Sequence, residues 1–128
     1  MSKKIRDEVY KKYNGCCAYT GKPLDEKWQI DHITPKHYYK FILIEDQNSN
    51  DINNLLPTFQ IINHYKRGLD LEGFRWYMLD FHLRLTKLPK KTLVERTQKR
   101  KEYMFKIAEL FDITVDEPFC GTFWFEKQ

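Results

Sequence analysis

Leu71, Phe74, Met78, Phe81 and Leu85 recur at steps of three, four, three and four residues, the spacing of one face of an α-helix. Asp70 stands at the N-cap position, so the spacing predicts a helix from Asp70 through Leu85. One amphipathic helix cannot bury its own apolar face, so other elements of the chain must cover this stripe. Ser2 can cap a first helix lined by Ile5, Val9 and Tyr13 and ended by Asn14-Gly15. A second helix is expected from Pro57 to about Lys66, closed by Gly68. Beyond Pro89 a basic helix spans roughly 91–111 and turns apolar only late, at Met104, Ile107, Ala108 and Phe111.

Strand signals are fewer. Trp28-Gln29-Ile30-Asp31-His32-Ile33 alternates apolar and polar and stops at Pro35. Phe119, Phe123 and Phe125 fall on one face of a strand expected over 119–126. Tyr38 to Ile44 is β-prone or a packed loop, Gln47 to Asp51 reads as a polar turn, and Cys16 to Leu24 carries Gly21 and Pro23 at tight-turn spacing. The fold class that follows is α+β. With 128 residues, one domain over 1–128 is expected.

The chain is 41% hydrophobic and 16% aromatic, enough apolar surface to exclude wholesale disorder. No apolar run approaches the roughly 18–20 residues of a membrane span. The first residues are basic without a following apolar stretch, which excludes a secretory signal. Cys16, Cys17 and Cys120 do not make a disulfide framework. A cytoplasmic setting with reduced thiols is the expectation. The net charge of +4 hides segregation: +3 over 1–13, −2 over 14–83, +7 over 84–106 and −4 over 107–128. A +7 stretch is either a solvated helix face or a phosphate-binding one.

Chemistry concentrates between residues 16 and 68. Asp31 and His32 sit at a strand end, where alternation points them to opposite faces. A carboxylate is a hard-oxygen ligand of the kind Mg²⁺ takes, and a neutral imidazole can accept a proton from water at physiological pH. An Asp-His pair alone carries little weight. Here Asn54-Leu55 follows 22 residues after His32, and Asn63-His64-Tyr65-Lys66-Arg67 follows on the next predicted helix.

These pieces, in this order, resemble the HNH nucleases and their ββα-metal fold. Asn14 to Gly21 looks like the family's first knuckle, Ile30 to Pro35 like its first-strand signature, Asn54-Leu55 like its central Asn-Leu, and Asn63 to Arg67 like its helix. Leu71 to Arg75 and Phe123 to Glu126 are similar, more loosely, to small phage and bacterial HNH proteins. The resemblance implies a ββα-metal core over about 16–68, with an added N-terminal helix, two later helices and a C-terminal strand. It implies a metal-dependent DNA endonuclease in which His32 is the general base and Asn54 orients it. Asp31 and Asn63 would hold one divalent ion, Mg²⁺ or else Mn²⁺. His64 competes with Asn63 as ligand. Adjacent helical residues point about 100° apart, so one ion takes one of them, and Asn63 has the family's spacing of nine after Asn54. The products implied are 5′-phosphate and 3′-hydroxyl ends.

Many HNH proteins also hold a structural zinc between two Cys-x-x-Cys knuckles. Here Cys17 remains, but Thr20, Phe59 and Ile62 stand at the other three positions, so no structural zinc is expected. Lys36, His64, Lys66 and Arg67 near the motif, and Arg96, Lys99, Arg100 and Lys101 in the basic helix, are the expected DNA phosphate contacts; Lys40 and His37 are weaker candidates. His82 reads as packing. Two other readings compete: an inactive nucleic-acid-binding module on an eroded HNH scaffold, and a partner-binding protein, including a homodimer, built on the aromatic surplus.

Overall fold

A computed structural model describes residues 2–35 and 50–128. Lys36, His37, Lys40, Tyr38 to Ile44 and most of the expected 47–51 turn lie outside the described residues. The fold is α+β. Helix α1 spans Lys3–Lys12, strand β1 Gln29–His32, strand β2 Leu55–Thr58, helix α2 Gln60–Lys66, α3 Leu71–Leu79, α4 Phe81–Thr86 and α5 Glu95–Phe111, with 3-10 turns at Ile52–Asn54 and Trp124–Lys127. The chain divides into two compact units, one of residues 1–74 with 123–128, the other of residues 75–122. Among the described residues no helix is long and apolar enough to cross a membrane.

In the first unit, Ser2 Oγ accepts the Ile5 N–H at 3.2 Å and caps α1 as expected. Asn14 and Gly15 both take positive φ and end it. Val9 packs with Trp28 and Leu55, flanked by Ile5, Leu24, Ile30 and Ile52. Strands β1 and β2 pair antiparallel, with Asp31 opposite Leu56 and His32 opposite Leu55. Pro57 therefore belongs to a strand and not to the helix expected there; α2 starts only at Gln60. All four β2 residues are buried, which explains why no alternation betrayed it.

The segment expected as a C-terminal strand is not one. Phe123 and Phe119 are buried, but Glu126 folds back so that its Oε1 accepts the Phe123 N–H at 2.8 Å, which favours a turn over an extended chain. Trp124 and Phe125 donate their N–H groups to the Tyr19 and Ala18 carbonyls at 3.2 and 2.8 Å. Gly21, at φ +74°, leaves room for the Trp124 ring, since a Cβ there would lie 2.5 Å from it.

The apolar stripe of residues 71–85 keeps its face but not its continuity. Phe74, Met78, Phe81 and Leu85 are all buried, yet the helix breaks at Asp80, whose ψ is 4°. The Tyr77 carbonyl is taken by the Arg84 guanidinium, which also lies 3.9 Å over the Tyr77 ring. Three helices thus follow the first core region where two were expected. Helix α5 buries Met104, Ile107, Ala108 and Leu110 near its end and closes on Asp112 in the left-handed region.

Candidate active site

Strand β1 sets the first two groups by alternation: Asp31 is 6% exposed, while His32 is half-buried. Helix α2, entered directly from β2, brings Asn63, Lys66 and Arg67 to the same place. Together with Gly68 these residues line one cavity of about 230 Å³. Asn63 and Lys66 are three apart on α2 and share a face. His64, between them, is exposed.

The Asp31 carboxylate is fully engaged. Its Oδ1 accepts the His32 backbone N–H at 2.8 Å and the Lys66 ammonium at 3.1 Å. Its Oδ2 accepts the Tyr19 hydroxyl and faces Lys66 Nζ at 3.1 Å. Lys66 Nζ also donates to the His32 carbonyl at 3.0 Å. Lys66 is 1% exposed, so it does not offer its charge to DNA as expected; it braces the strand end that carries Asp31 and His32. Tyr19 is packed edge-on by Phe74, Phe123 and Phe125. Burial foremost, then the adjacent Asp31 charge, pushes its phenol well above the usual range, so it acts there as a neutral donor.

His32 Nε2 lies 3.0 Å from Asn50 Oδ1. With Nε2–H donating to that oxygen, Nδ1 is left as the proton-accepting nitrogen. Asn54 clamps the loop that follows: its Oδ1 accepts the Thr34 N–H at 2.8 Å and its Nδ2 donates to the Thr34 carbonyl at 3.2 Å. Lys12 holds the same turn from beneath, donating to the Ile52 and Leu55 carbonyls at 2.9 and 2.8 Å. Partial burial lowers its pKa, against the opposing pull of Asp51. Asn54→Ala is expected to cost about 1–3 kcal/mol in urea denaturation, since two backbone groups lose their partner. Asn54→Asp, which keeps the acceptor for Thr34 N–H, should lose less; equal stability of Asn54→Ala and wild type contradicts the clamp.

Asn63 Nδ2 donates to Gln29 Oε1 at 2.8 Å and its backbone carbonyl accepts the Arg67 N–H at 3.2 Å, while its side-chain oxygen accepts from no described residue. The donor set fits a divalent ion in kind: one carboxylate and one amide oxygen are hard ligands, and an ion held by two of them keeps most of its water, as Mg²⁺ prefers. Among the described residues no group of three His, Cys, Asp or Glu could hold a metal. At the knuckle positions, Cys17, Phe59 and Ile62 are buried, and Cys17 Sγ lies 3.7 Å from Thr58 Oγ1.

Arg67 ends α2 at φ +57°, a conformation that disfavours a side chain, and Gly68 is not the residue that takes it. Arg67 is exposed and lines the cavity. On α5, Arg96, Lys99 and Arg100 are exposed, Lys99 pairing with Glu95 at 3.3 Å, whereas Lys101 is half-buried and donates to the Lys90 carbonyl at 2.9 Å.

Tyr19, Gln29, Asn50 and Lys12 are not singled out by the sequence; only Gln29 sits in a periodic pattern, the alternation of β1, which marks it as a polar strand position and not as the partner of Asn63. No protein-family model, curated protein or solved structure matches this chain.

Proposed function

We propose that the chain is a metal-dependent DNA endonuclease of the HNH type, with a ββα-metal core over about 16–68, acting on phosphodiester bonds. The observation that carries this reading is the meeting of His32, Asp31 and Asn63 in one cavity. His32 Nδ1 takes a proton from the attacking water, while Asn50 fixes the tautomer and the Asn54 clamp on Thr34 fixes the direction of the ring. Asp31 and Asn63 would hold the ion, which when bound supplies Lewis-acid stabilisation of the charge that develops on the phosphate and leaving oxygen. Arg67 binds the phosphate at the cavity, and Arg96, Lys99 and Arg100 add sequence-independent backbone contacts that weaken with salt.

One observation favours a second reading, DNA binding without cleavage: every acceptor position of Asp31 is already filled by the protein. Supercoiled plasmid incubated with the protein separates the two. Nicking or linearisation in Mg²⁺ or Mn²⁺ that stops with EDTA is the expected outcome. Salt-sensitive DNA retention with no cleavage under any divalent ion selects the second reading, and no DNA retention at low salt removes both.

A further inference from the structure

The Asp31–Lys66 pair holds more than a strand end requires. Lys66 Nζ donates to Asp31 Oδ1 and to the His32 carbonyl at 3.1 and 3.0 Å and lies 3.1 Å from Asp31 Oδ2, so its ammonium faces both oxygens of the carboxylate. Tyr19 and the His32 N–H fill what remains of the carboxylate. With Tyr19 neutral, the pair carries no net charge, so the cavity that lines up Asp31, His32 and Asn63 lacks the excess negative charge that attracts a cation. A divalent ion approaching Asp31 through this cavity meets the Lys66 ammonium, which lines it and sits 3.1 Å from both carboxylate oxygens, at a distance where like charges repel strongly in a partly dry site.

We propose that Lys66 is the resident counter-cation of Asp31, making the free protein a weak binder of divalent ions and tying ion binding to the arrival of the anionic phosphodiester. The proposal rests on the nuclease reading for its physiological meaning. A phosphodiester brings the negative charge that the Asp31–Lys66 pair withholds, and Arg67 at the cavity selects for that anion. Lys66 is thus a positioning residue that acts through Asp31. A purely structural ion pair and a counter-cation both predict lost stability when Lys66 is removed, because a buried carboxylate is stranded. Only the counter-cation predicts a gain in metal affinity.

The test measures Mn²⁺ binding to the full chain, without DNA, from the electron paramagnetic resonance signal of the free ion. Lys66→Met should bind Mn²⁺ at least about tenfold tighter than wild type, and Lys66→Met with Asp31→Asn should lose that gain. Affinity no tighter in Lys66→Met than in wild type overturns the proposal, as does a gain that survives Asp31→Asn. Should Lys66→Met fail to fold, the wild type decides alone, through the Asp31 ¹³Cγ resonance followed during a Mg²⁺ titration. A midpoint above about 1 mM is expected, and any tighter one overturns the proposal. Plasmid cleavage is read separately, so loss of the nuclease reading leaves the Mn²⁺ comparison standing.

Discussion

Replacing His32 by alanine should, on the proposed reading, lower the rate of plasmid cleavage about 10²–10⁴-fold, the usual contribution of a positioned general base. The fold should survive, because the ring is half-buried and, among the described residues, its hydrogen bond goes to Asn50. The contacts that tie this strand to α2 run from Lys66 to the Asp31 carboxylate and the His32 carbonyl and from Asn63 to Gln29, and the substitution removes none of them. A circular dichroism melt within a few degrees of wild type, together with the kinetic loss, separates a chemical role from a structural one. Asn50→Ala should give a smaller loss, since it frees the tautomer without removing the base. Cleavage by His32→Ala at the wild-type rate ends the assignment, whatever metal is supplied.

Part of this candidate site is legible in the sequence, and the unread part has a physical cause. Alternation along β1 points Asp31 and His32 to opposite faces, and the structure buries Asp31 while leaving His32 half-buried, since a strand packed on one side carries a period-2 record. Asn54 is picked out by its resemblance to the central Asn-Leu of the HNH motif, and in the structure it clamps Thr34 in the loop after His32. Strand β2 left no such record: it is buried throughout, and Pro57 argued for a helix start. Lys66 was misread for a related reason. Lysine is usually exposed, and a cation beside a nuclease-like motif suggests phosphate. Its spacing of three from Asn63 was the available signal, since it puts the ammonium on the face that meets Asp31. Tyr19 could not be found by pattern, because it projects from an irregular turn and its neighbours come from Phe74 and the C-terminal segment.

That C-terminal segment supplies the second large expected effect. Phe123→Ala should destabilise the protein by about 3–5 kcal/mol, the range for emptying a buried phenylalanine site, and lower the melting temperature by about 10–20 °C. Phe123 is fully buried, stacked on Phe74 with centroids 5.4 Å apart and an interplanar angle of 13°, and edge-on to Tyr19 at 5.0 Å. No backbone ladder compensates for the loss, because the segment is held by the Trp124 and Phe125 N–H groups and by the Glu126 cap on Phe123 itself. The substitution also reaches the site. Tyr19 loses a wall of its pocket while its hydroxyl still holds Asp31, so cleavage should fall by more than the unfolded fraction accounts for. Trp76→Ala is the matched control: Trp76 is 72% exposed, and its removal should change stability by less than about 0.5 kcal/mol. If Phe123→Ala costs no more than Trp76→Ala in the same denaturation series, the aromatic cluster does not hold the site, and the link from Phe123 through Tyr19 to Asp31 has to be abandoned.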